Sequence, residues 1–165
     1  LACGNSSTGN QEETAGHQHE AMPADTAVTT TVASLKDAKL NGLYAAYLDL
    51  KFALVKGDSA AASAAAKAID SAGRELNNTE LQQTATKLVS VTALKEQRVL
   101  FGDLSALLIA MVKQSGLSSG KIYVEYCPMA FDNKGASWLS NEEAIRNPYF
   151  GDEMLTCGEV TETIQ

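Results

Sequence analysis

Only two histidines occur in the 165 residues, His17 and His19, and everything after them lacks the side chain altogether. That absence disfavours serine, threonine and cysteine nucleophile chemistry, which needs a positioned base and most often uses imidazole. It also leaves a tetrahedral zinc centre short of ligands. No GxxxxGK[ST] loop, no GxGxxG turn after a strand and no HExxH helix is present. The cysteines are few, 3 in all, and none forms the CxxC pair of a thioredoxin-like redox motif. The sequence therefore predicts a non-enzymatic protein. A thiol-based redox enzyme is the weakest alternative, because no basic residue adjoins Cys127 or Cys157. Positive charge is scarce too: 13 Lys and Arg stand against 20 Asp and Glu, a net charge of −7, so no nucleic-acid partner is expected. Finally, no apolar run reaches the roughly 18 residues that a membrane-spanning helix needs.

What is present begins with Leu1-Ala2-Cys3-Gly4 and a polar stretch. A small residue followed by Cys, Gly and polar residues is the pattern of a bacterial lipoprotein processing site. On this reading Leu1 and Ala2 are a signal-peptide remnant, and Cys3 carries the lipid that holds the protein to a membrane. Each buried CH₂ of such a chain contributes about 0.8 kcal/mol, so several acyl chains hold firmly. Residues 1–31 then form the anchor and a flexible tether, poor in apolar residues and without a period. The tether contains HQHEAM, in which His17, His19 and Met22 form a candidate catcher of soft or borderline metal ions.

Residues 32–165 read as one domain, mainly α. The expected architecture is an antiparallel bundle of three to four helices with a small C-terminal two-stranded β element and a short helix. Leu40, Leu43, Tyr44, Tyr47, Leu50 and Leu54 recur at intervals of three and four, giving one apolar face behind a start box at Ser34–Asp37. Gly57 stops this helix and Asp58 caps an alanine-rich one, thin enough for close packing. A box at Thr79–Gln82 opens further helix as far as Ser115, with a break near Thr92–Leu94. KIYVEY and EVTETI read as strands, and Ser140-Asn-Glu-Glu143 as the start of the short helix. In that helix Glu142 and Glu143 would complement the dipole of the first turn.

If the two strands pair antiparallel, the end of the first lies beside the start of the second, which brings Cys127 close to Cys157. Cys127 and Met129, two apart, point the same way in an extended segment, and Met154 and Cys157, three apart, share a face on a helical turn. Thiolate and thioether are soft ligands that select Cu(I) above other ions. The spacing equally fits a disulfide between Cys127 and Cys157, contributing about 3–4 kcal/mol by constraining the unfolded chain, with Met129 and Met154 as core filler. Cysteines outside the cytoplasm are commonly paired, and the residues leave metal site, disulfide and buried free thiols open.

The segments CPMA, GASWLS, IRNPYFG and MLTCGEV, with QRVLFGDLSALL upstream, resemble the DUF3347 family of Bacteroidetes envelope proteins. The resemblance covers roughly residues 34–163 and leaves the tether outside. It implies lipoproteins, or domains fused to adaptor subunits of heavy-metal efflux pumps. It therefore implies a periplasm-facing envelope location, copper or a related ion as cargo, and pump components as partners. Cys127, Met129, Met154 and Cys157 are the positions that match the family motifs. The expectation is a lipid-anchored protein that holds a soft metal ion at these sulfurs and passes it through the tether. The alternative is a structural interaction module with a permanent Cys127–Cys157 disulfide and an exposed NPYFG loop or a helix face that docks a partner.

Overall fold

The computed structural model describes residues 32–165. The expected lipidation site Cys3 and the tether residues His17, His19 and Met22 lie outside them. The elements run β1 (Ser34–Leu35), α1 (Ala38–Lys56), α2 (Ser59–Glu75), α3 (Thr79–Ser90), α4 (Leu94–Ser115), β2 (Leu117–Ser119), β3 (Ile122–Cys127), β4 (Ala136–Ser140) and β5 (Glu159–Ile164). Four long helices dominate, and antiparallel strands occupy the C-terminal third, as the sequence predicts.

The helix boundaries follow from short polar side chains that satisfy orphan amide groups. Asp37 Oδ1 accepts from Lys39 N at 3.0 Å and starts α1, so the start box at Ser34 is not used and Ser34 begins a strand. Gly57 ends α1 in the left-handed region at φ 69°, where L side chains are strained. Asp58 then accepts from Ala61 N at 2.9 Å to open α2. Asn78, one residue before the expected box, accepts from Leu81 N at 3.0 Å and opens α3. In α2 the buried residues are Ala62, Ala65, Ala66, Ile69 and Gly73. A methyl group on Gly73 would stand 3.1 Å from Gln82 Cγ, so α2 and α3 approach closely because the facing residues of α2 are small.

Two small sheets close the fold. β1 pairs antiparallel with β2, and a three-stranded antiparallel sheet has the order β4-β3-β5. The expected strand pair is β3 with β5. The third strand, β4, comes from the GASWLS segment, for which the sequence pattern predicts no strand. The short helix expected after Ser140 does not form. Ser140 pairs with Tyr123 at the end of β4, its hydroxyl accepts from Glu142 N at 3.1 Å, and the segment to Pro148 is bend and loop. Glu142 meets Arg146 at 3.3 Å on this exposed loop.

The outer edge of β4 carries backbone groups that need partners. The Tyr47 hydroxyl accepts from Leu139 N at 3.0 Å and shares a hydrogen bond with Ser105 Oγ at 2.7 Å. The Tyr149 hydroxyl donates to Ser137 O at 2.6 Å. An aromatic chain runs from bundle to sheet. Its ring centroids are 5.1 Å apart for Tyr47–Phe101, then 5.7 Å for Phe101–Tyr149 and 5.7 Å for Tyr149–Trp138. Each such pair adds about 0.5–1.5 kcal/mol beyond area burial, so the sheet is fixed to the helices rather than appended to them. Trp138 and Tyr149 are buried and pack in this chain.

Candidate functional site

The register of the sheet places the two cysteines. Tyr126 faces Glu159 across the β3–β5 ladder, so Cys127 at the end of β3 meets the residues just before β5. Cys127 Sγ and Cys157 Sγ are 3.1 Å apart although 30 residues separate them in sequence. Both are free thiols, Cys127 buried and Cys157 partly exposed. The hydrogen bond to Cys127, followed by burial, pushes the Cys157 thiol above its ordinary pKa. A metal ion binding through Cys157 would have to displace its thiol proton.

The segment that presents Cys157 is held by one fully buried side chain. Asn147 Nδ2 donates to Cys157 O at 2.8 Å, while Asn147 Oδ1 accepts from Tyr149 N at 2.8 Å and from Phe150 N at 3.3 Å. Its backbone N–H donates to Leu155 O at 2.8 Å and its carbonyl accepts from Gly151 N at 2.9 Å. Asn147, Pro148 and Tyr149 are buried, so the NPYFG loop is a structural knot and not the exposed docking loop of the structural-module reading. Gly158 completes the approach. Its φ is 143°, and a Cβ there would sit 2.8 Å from Tyr126 O and 3.1 Å from the Trp138 ring.

The methionines are placed differently. Met129 is 45% exposed at the turn after β3, which excludes it as core filler. The residues that follow it, Phe131, Asp132 and Asn133, all have positive φ and reverse the chain toward β4. Met154 is partly buried, and its carbonyl accepts from Cys157 N at 3.0 Å, closing the turn that carries the second thiol. Among the described residues no group of three or more His, Cys, Asp or Glu side chains gathers at one point. Any four-sulfur centre therefore depends on Met129 and Met154 joining the dithiol.

A second cluster escaped the sequence reading. Lys51 of α1 is only 7% exposed, and its Nζ donates to Ser140 Oγ at 2.7 Å. Glu125 of β3 is fully buried, opposite Trp138 on the sheet. Burial pushes the Glu125 carboxyl up to about 7, against the opposing pull of Lys51, Trp138 and Ser140. All three are near enough to favour the charged form, yet neither carboxyl oxygen reaches hydrogen-bonding geometry with any group. Burial likewise lowers the Lys51 pKa, with Glu125 and then Glu142 opposing it. A signal existed: Tyr44, Tyr47, Lys51 and Leu54 recur at helical spacing, which puts a lysine on the buried stripe. For Glu125 there was none, since it falls on the face opposite Ile122, Val124 and Tyr126, which reads as solvated.

Compared with known proteins, residues 43–120 match the family model described as protein of unknown function, DUF3347. The match spans α1 to β2 and stops before both cysteines. No curated protein and no solved structure matches the chain.

Proposed function

From the match of residues 43–120 to the DUF3347 family model and the meeting of two thiols, we propose that this protein holds a soft metal ion, copper(I) first, between Cys127 and Cys157. The observation that carries the reading is the 3.1 Å approach of two free thiols from separate segments. Sulfurs sharing one ion at metal–sulfur bonds of about 2.3 Å stand roughly 4 Å apart, so the pair opens by about 1 Å to admit it. The partly exposed Cys157, on its turn, is the side that yields. Exposed Met129 and partly buried Met154 flank the pair in sequence and supply the thioether ligands of a fuller site. No bond of a substrate is made or broken; the chemistry is ligand exchange.

The cellular setting belongs to the same proposal and rests on the sequence alone. Cys3 carries lipid, the protein faces the periplasm of a bacterial envelope, and His17, His19 and Met22 capture the ion or hand it to a heavy-metal efflux component. A second reading draws on the same proximity: the two thiols give two electrons and two protons to a disulfide-exchanging oxidant, whose own disulfide is reduced, and form a Cys127–Cys157 disulfide that fastens the Asn147 knot to β3, with no metal role.

Protein purified without air or chelators separates the two, by metal content paired with thiol counting. Titratable thiols with copper bound support the metal reading. No thiols and no metal support the crosslink.

A further inference from the structure

The Lys51 cluster opens to a cleft of about 360 Å³ between α1 and the loop after β4, independent of the thiols. An ammonium group carries three donors. Lys51 uses one of them on Ser140 Oγ, and among the described residues no carboxylate lies within ion-pair contact of it. A buried cation with spare donors is costly to keep, and an acceptor that reaches it offsets part of that cost. Ser140 Oγ accepts from both Lys51 Nζ and Glu142 N, at 2.7 and 3.1 Å, which fixes the ammonium in place beside the cleft.

The surroundings define what fits. Lys56 and Arg146 stand at the rim, so the cleft has three cations in a chain whose net charge is −7. Glu142, the one acidic residue that lines it, is engaged by Arg146 at 3.3 Å. Leu48, Val55 and Phe52 form an apolar wall, with Phe52 63% exposed and the Lys56 ammonium 5.7 Å from its ring centroid. Unpartnered Glu125 lies near Lys51, outside the lining of the cleft, and opposes a second negative charge.

We infer that this cleft binds a small molecule with a single carboxylate head and an apolar body, the head on Lys51 and the body against Phe52. A carboxylate has the one charge that Lys51 can answer, and the aromatic wall rewards a hydrophobic tail. A dianionic phosphate would bring more charge than one buried ammonium near two carboxylates accommodates.

The test uses the full chain and backbone amide NMR shifts at residues 48–56 and 140–146. Benzoate is the probe, with benzyl alcohol as the neutral isostere, acetate as the head alone and inorganic phosphate as the competing anion. Benzoate should give saturable shifts at these amides, acetate weaker ones, and benzyl alcohol binding at least roughly tenfold weaker, since loss of one charged contact is of that order. Phe52→Ala should weaken benzoate and leave acetate unchanged. Because Lys51→Met strands a buried carboxyl, the decisive variant is Lys51→Met with Glu125→Gln, which should fold and lose the benzoate response. The inference is overturned by no saturable shift up to roughly 20 mM benzoate, by an equal response to benzyl alcohol, by phosphate binding more tightly than benzoate, or by a wild-type response in the double variant.

Discussion

Asn147 Nδ2 donates to the carbonyl of Cys157 at 2.8 Å, so the second thiol hangs from a side chain ten residues earlier in sequence. With Oδ1 accepting from Tyr149 N and Phe150 N, every polar atom of this buried amide is used inside the knot. The position of Cys157 is thus a consequence of the loop's own hydrogen bonding and not of the two sulfurs attracting each other.

Asn147→Ala should cost about 2–4 kcal/mol, because it strands buried backbone groups as well as losing bonds. Urea unfolding measures the loss. The same variant should bind copper(I) more weakly at unchanged thiol count, since both cysteines remain but no longer meet.

Gly158→Ala tests the approach from the other side. A Cβ there would lie 2.8 Å from Tyr126 O on a backbone with φ 143°, a conformation in which L side chains cost about 1–3 kcal/mol. The expected outcome is a destabilised protein whose Cys127–Cys157 crosslink forms more slowly under mild oxidant. Crosslinking at the wild-type rate would show that the turn is not what sets the pair.

Tyr47→Phe removes one hydroxyl that serves both Ser105 Oγ and Leu139 N, at 2.7 and 3.0 Å. All three residues are buried, so no water replaces it easily. A loss of about 1–3 kcal/mol is expected in denaturant unfolding. Amide exchange at Leu139 should quicken, reporting an edge strand whose cover has been lost.

The pH dependence of stability should carry the mark of Glu125. Its folded pKa, about 7, lies above the ordinary carboxyl value of 4.5, so the folded state prefers the protonated form. The stability contributed by that preference is complete below about pH 4.5 and is lost as pH rises through 7. Glu125→Gln cannot titrate. Relative to wild type it should gain stability across that window by about 3 kcal/mol, read from urea unfolding at a series of pH values. A difference that stays flat across the window would contradict the assignment.

The helices were legible because the repeat of Leu40, Leu43, Tyr47, Leu50 and Leu54 matches a turn of helix, and the core uses it as written. Two starts were misplaced, at Ser34 and Thr79. In each case a hydroxyl residue fitted the box pattern, while Asp37 and Asn78, each immediately before the first helical residue, do the capping. β4 was missed because Trp138, Leu139 and Ser140 are all buried, so covering on both faces erases the polar–apolar alternation that marks a strand. The same covering hid Glu125, which is buried and near Lys51 of α1. The cysteine pair was legible since antiparallel pairing of two recognisable strands fixes which ends meet. The Asn147 knot that holds it has no pattern: a buried asparagine and a loop asparagine look alike in sequence.

Copper(I) titration of the fully reduced chain against a competing chelator tests the central claim most directly, run on wild type and on Cys127→Ser with Cys157→Ser. The account predicts that wild type takes one ion from the chelator, more tightly as pH rises because two thiol protons must leave, and that the double variant loses this uptake. Uptake that is absent in wild type, or that survives the loss of both thiols, would contradict it.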